Sequence, residues 1–126
     1  MTEADAAVDA IDEATFAGLL EMTGGDLEFL DELVETYLVD GDQQVVLLRD
    51  AAAREATADL VRPAHSLKSS SLNVGALRLG GLARTLEESA RNGEVPHPAE
   101  WVERIATAFD DARRALLAER ERRASS

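Results

Sequence analysis

At 126 residues the chain has the length of one domain with a modest core of its own. A net charge of -12 opposes nonspecific binding to nucleic acid or anionic lipid, and the absence of cysteine excludes disulfides and thiolate metal sites. Aromatic residues make up only 4% of the chain, while alanine, leucine, glutamate and arginine dominate, which is the composition of packed helices.

No apolar run approaches the roughly 20 residues that cross a bilayer. The start, Met1 to Asp5, lacks the basic and apolar regions of a signal peptide. With no cysteine, the expectation is a cytoplasmic protein with no membrane insertion and no nucleic-acid partner. Apolar residues recur at spacings of three and four almost throughout, and strand alternation does not. The first ten residues, acidic and alanine-rich, are expected to fray. A short helix is predicted from Glu13 to Met22, capped by Asp12 and ended by Gly24 or Gly25. Asp26 caps the next, whose stripe reads Leu30, Val34, Tyr37, Gly41, Val45, Leu48, Ala52. The stripe keeps its phase through Gly41, which favours one long helix over about 27–55 rather than two broken there.

Thr57 or Asp59 is expected to cap a third helix ending near Asn73, with Gly75 as its C-terminal turn. A fourth helix runs from about Ala76 to Arg91 and closes at Asn92-Gly93. Gly80 and Gly81 within it either weaken it or admit a close neighbour. Glu94 to Pro98 is a loop, since two prolines deny it helix. A last helix runs from about Ala99 to Arg122, opened by Pro98, with the stripe Trp101, Ile105, Ala108, Phe109, Ala112, Ala115, Leu116. Trp101 is assigned to the core, and Arg120 to Ser126 are expected to fray. Four substantial helices and short loops predict an all-α, up-and-down antiparallel four-helix bundle with a short extra N-terminal helix. It forms a single domain over 1–126, with an ordered core of about 12–120.

The third helix carries the chemistry. Its core stripe is Leu60, Ala64, Leu67, Ser71, Val74, which leaves His65, Lys68, Ser69 and Leu72 on the other side. Burying His65 would expose Leu67, so His65 faces out. Lys68 is the only lysine among thirteen basic residues, and it follows His65 by one turn. A neutral imidazole is a competent nucleophile. An ammonium and the hydroxyls of Ser69 and Ser70 suit the oxygens of a phosphate placed on it. Leu72 is either a stray surface leucine or an apolar contact for a docking partner.

The run His65-Ser-Leu-Lys68-Ser-Ser-Ser-Leu-Asn-Val-Gly75-Ala76, followed by Leu79, Leu82, Leu86-Glu87 and Ala90-Arg91-Asn-Gly93, resembles the histidine-containing phosphotransfer family. The resemblance spans about residues 26–118 and includes Asp26 to Leu33. It implies a four-helix bundle in which His65 accepts a phosphoryl group, on Nε2, from a receiver-domain aspartyl phosphate and passes it to another receiver aspartate. It implies that Lys68 steadies the phosphate and Gly75 sets the turn. Ser69, Leu72, Arg84, Glu87 and Arg91 are then expected at the docking surface. The implied partners are response-regulator receiver domains and a hybrid sensor histidine kinase. No cofactor and no nucleotide site of its own is implied, since Mg²⁺ belongs to the receiver. Two positions depart from the pattern. Ser69 replaces the usual glycine after the lysine, and Pro63 requires that the helix start near Val61 or kink before His65.

Other signals carry less. Glu94-Val-Pro-His97 has the Glu-x-x-His spacing of di-iron bundles, but it occurs once and in a loop, so no metal is expected. Glu87 and Glu88 read as a solvated helix face. Arg78, Arg84 and Arg91, at spacings of six and seven, form either surface salt bridges or a basic rim around His65. The expected function is a phosphorelay carrier, not an enzyme, and the start at Met1 favours a free-standing one. The alternative is an unphosphorylated docking or inhibitor module that binds a receiver or sensor kinase.

Overall fold

The computed structural model describes residues 10–124. Among them are five helices: α1 (Glu13–Met22), α2 (Leu27–Ala53), α3 (Val61–Val74), α4 (Leu77–Arg91) and α5 (Pro98–Ala124). A 3-10 turn, Thr57–Leu60, leads into α3. Helices α2 to α5 form an up-and-down antiparallel bundle, each packed on the next, with α5 closing on α2. The short α1 lies across α2 and α3.

Local chemistry sets the helix starts. The Asp12 carboxylate accepts from the Thr15 amide at 3.0 Å and its hydroxyl at 2.6 Å, and Asp26 accepts from the Phe29 amide at 3.1 Å. Helix α2 runs unbroken through Gly41, and every residue of its expected stripe is buried. A Cβ on Gly41 would come within 2.3 Å of the Phe109 ring. The glycine is therefore the seat for an α5 aromatic, which also packs on Tyr37 with ring centroids 5.8 Å apart.

Neither Thr57 nor Asp59 caps α3. Thr57 opens the 3-10 turn and Asp59 pairs with Arg54 at 3.2 Å. The turn runs straight into the helix, so backbone carbonyls serve the first amides and no side-chain cap is present. Pro63 is the third residue of α3, in the first turn, where no intrahelical hydrogen bond is there to be lost. The helix therefore starts at Val61 and reaches His65 without interruption. It ends on Gly75, whose φ of 89° is left-handed and whose carbonyl accepts from the Asp12 amide at 2.7 Å.

Fraying was expected at both ends. Ala10 is instead buried, while residues 1–9 lie outside the described residues. Helix α5 continues to Ala124 because its last turns have partners. Arg120 bonds Asp31 at 3.0 Å, Arg122 pairs with Glu119 and Glu13, and Arg123 lies 5.3 Å over the Phe16 ring. Residues 125 and 126 lie outside the described residues. Trp101 is half-buried at the core edge, with the Arg104 guanidinium 4.7 Å over its ring.

Candidate functional site

Helix α3 buries Ala64, Leu67, Ser71 and Val74 and leaves His65, Ser69 and Leu72 exposed, the phase expected from the sequence. Ser71 is polar inside the core, and the Tyr37 hydroxyl, 2.7 Å away, satisfies it. Burial pushes the Tyr37 phenol up to about 12, against the opposing effect of this hydrogen bond. That bond keys α3 to α2 and fixes the rotation that turns His65 outward.

On the other side α3 meets α4 closely. A Cβ on Gly80 would sit 2.5 Å from Leu72 Cδ2, so Gly80 admits a neighbour. Gly81, one residue on, faces open space and serves no such contact. Leu72 is 41% exposed and yet packs on Gly80, so it is a surface residue with a structural seat.

The close approach brings Glu87 under the imidazole. It is not a solvated residue: it is 5% exposed, while Glu88 alone lies on the open face. Three cationic or donor side chains converge on its carboxylate. His65 Nδ1 lies 2.9 Å from Oε2, Arg91 Nε and Nη2 lie 3.0 and 2.8 Å from the same oxygen, and Lys68 Nζ lies 2.8 Å from Oε1. Burial alone would raise the Glu87 carboxyl, but the Lys68, Arg91 and His65 donors outweigh it and hold it at about 2. The group is therefore ionised at neutral pH and can only accept.

The tautomer of His65 follows. An acceptor-only carboxylate at Nδ1 requires a proton on Nδ1, so in the neutral ring the lone pair lies on Nε2. The imidazole side chain is 53% exposed, and Nε2 lies on the ring edge away from the buried carboxylate. The arrangement presents an imidazole, held through Nδ1, to solvent with an ammonium beside it.

Of the expected basic rim, only Arg91 joins this cluster. Arg84 pairs with Glu88 at 3.3 Å on the surface, and Arg78 bonds Asp111 of α5 at 2.8 Å. Ser69 is exposed beside His65, and Gly75 closes the far end of α3. Among the described residues no group of three or more His, Cys, Asp or Glu could hold a metal. No described helix is long and apolar enough to cross a membrane. The burial of Glu87 was missed in the sequence although a signal existed: it falls four residues after Ala83 and three before Ala90, on the buried stripe of α4.

A family model for the Hpt domain matches residues 32–115, a span that contains α3, α4 and the whole cluster around Glu87. The chain belongs to the Hpt family. Among solved structures, this Hpt protein is similar to histidine-containing phosphotransfer protein B, HptB, from Pseudomonas aeruginosa PAO1. The TM-score is 0.81 at 30% identity, over 90% of this chain and 96% of that one. No curated protein sequence matches it. As an Hpt protein it is a histidine phosphotransfer protein of two-component phosphorelay signalling, and proteins of this family are phosphocarriers rather than enzymes with catalytic domains.

Proposed function

We propose that His65 is the phosphoryl acceptor. It takes the group from the aspartyl phosphate of one receiver domain, such as that of a hybrid sensor kinase, and passes it to the aspartate of a response regulator. The supporting observation is the half-exposed imidazole held through Nδ1 alone by a buried, ionised carboxylate. The Nε2 lone pair attacks phosphorus in line. An N–P bond forms as the acyl-phosphate P–O bond breaks, and the receiver carboxylate leaves with the electron pair. Nδ1 keeps its proton, and the positive charge that develops on the ring lies against Glu87, much as an aspartate steadies an imidazolium in a hydrolase triad. The onward step reverses these bonds at the second receiver.

Lys68 is the phosphate ligand of this scheme. Its contact with Glu87 is an ion pair at 2.8 Å to Oε1, made from a flexible stem, so it can turn to the phosphoryl oxygens. The exposed Ser69, Leu72 and Arg84 belong to the docking surface, and the working unit is one domain over 1–126 in the cytoplasm. Of the two departures behind a docking module without chemistry, Pro63 sits in the first turn and leaves His65 undisturbed, while Ser69 stays exposed beside it.

Incubation with a phosphorylated receiver tests the proposal. The expected product is an acid-labile, base-stable label on the protein that disappears in His65→Gln while the helical circular-dichroism spectrum is kept. A folded His65→Gln protein that still takes up label sinks it.

A further inference from the structure

We infer that Arg91 is a positioning residue for the transfer: it keeps Glu87 in charge balance so that Lys68 is free to move to the phosphoryl group. This rests on the reading of His65 as acceptor and goes beyond it, since exposure alone would make Arg91 a docking contact.

Glu87 carries one negative charge and two full cations. The two are not equivalent. Arg91 directs Nε and Nη2 at Oε2, the oxygen that also accepts from His65 Nδ1. Lys68 meets only the other oxygen, Oε1, through its single Nζ at 2.8 Å. The guanidinium arises from α4, one turn after Glu87 itself, whereas the ammonium arises from α3, one turn after His65. The pair on α4 is thus internal to one helix, and the Lys68 contact is the one that spans helices toward the reacting ring.

A buried carboxylate stripped of every cation is costly. If Lys68 were its sole counter-ion, a phosphoryl group on His65 would compete with Glu87 for the same ammonium, and each would be weakened. Arg91 removes the competition. With its charge fixed on Oε2, Lys68 can leave Oε1 for the phosphoryl oxygens, while the carboxylate keeps both its counter-charge and its hold on Nδ1. The second cation is what turns a static ion pair into an exchangeable one.

A double-mutant cycle separates this from docking. Single-turnover transfer from a phosphorylated receiver is followed over a range of receiver concentrations for the wild type, Arg91→Ala, Glu87→Gln and the double variant. The expected result is a fall of about tenfold in the rate constant at saturating receiver for Arg91→Ala, with the half-saturating concentration little changed. In the Glu87→Gln background, where no charge needs balancing, the same substitution costs less than about twofold. Arg91→Lys recovers most of the loss. An equal loss in both backgrounds, a loss confined to the half-saturating concentration, or no loss in the wild-type background overturns the inference.

Because the chain has a single lysine, its ε-methylene signals offer a second reading independent of rate. They shift on phosphorylation in the wild type and stay near their unphosphorylated position in Arg91→Ala; equal shifts in both overturn the inference. If His65→Gln still accepts label, the underlying reading fails instead, and the two failures are told apart.

Discussion

The Glu87 carboxylate ties the geometry of the His65 site to stability in one atom group, which gives it a pH signature. Its pKa is depressed from 4.5 to about 2 by Lys68, Arg91 and His65 acting against burial. A depressed folded-state value means the unfolded chain binds the proton more readily. The stabilisation is therefore complete above about pH 5 and is lost as pH falls from there toward 2. One unit corresponds to about 1.4 kcal/mol; solvent around the exposed Arg91 guanidinium reduces the yield to an order of 1–2 kcal/mol. The expected outcome is a melting temperature that drops more steeply between pH 5 and 3 in the wild type than in Glu87→Gln. Parallel curves would show that the cluster contributes nothing to folding. How legible this site was differs residue by residue. The phase of Leu67 showed that His65 faces out, and the isolation of Lys68 in an arginine-rich chain marked the partner. The hub was hidden because a glutamate beside a second glutamate reads as surface, while burial of Glu87 depends on how near α4 comes to α3. That distance is set by Gly80 and Leu72 across the interface, and the only local sign of it is the place of Glu87 between Ala83 and Ala90 on the buried stripe of α4.

Helices obey the same division between local and tertiary causes. The stripe through Gly41 was readable as one helix because its phase never slips, but why a glycine sits there was not, since the reason is a ring on α5. That reason yields a prediction. Gly41→Ala gains up to about 1 kcal/mol of helix propensity and forces the Phe109 ring away from a Cβ at 2.3 Å. Overpacking of this kind costs about 1–3 kcal/mol, so with the full propensity gain the net effect is destabilising by up to about 2 kcal/mol in urea unfolding. Gly81→Ala meets open space and is the control, stabilising by up to about 1 kcal/mol. If Gly41→Ala matched Gly81→Ala, the close packing of α5 on α2 would be refuted. The start of α3 was misread for a related reason. Thr57 and Asp59 look like caps in sequence, but a 3-10 turn already feeds the helix backbone partners, and capping side chains have nothing left to satisfy. The end of α5 was misread because ion pairs to Asp31 and Glu13 join residues distant in sequence.

At the scale of the molecule, the bundle has a chemical face and a closing end, and the two are separable. The closing end is α1. Phe16 is fully buried, Arg123 covers its ring, Arg122 reaches Glu13 at 3.6 Å, and the Asp12 amide bonds the Gly75 carbonyl at 2.7 Å. His65 lies ten residues before Gly75, about 15 Å away along α3 at the helical rise. The site itself is held by Gly80, Glu87 and Tyr37, none of which belongs to α1. Phe16→Ala removes a ring from a closed site and leaves a cavity, which costs about 3–5 kcal/mol. For a chain of this size that lowers the melting temperature by roughly 10–20 °C. The rate of phosphoryl transfer per folded molecule, measured well below the new midpoint, stays at the wild-type value, because none of the groups that fix the His65 ring or its tautomer has moved. A rate that falls in step with stability would mean instead that α1 sets the rotation of α3. The Tyr37–Ser71 bond would then be too weak to fix the presentation of His65 by itself.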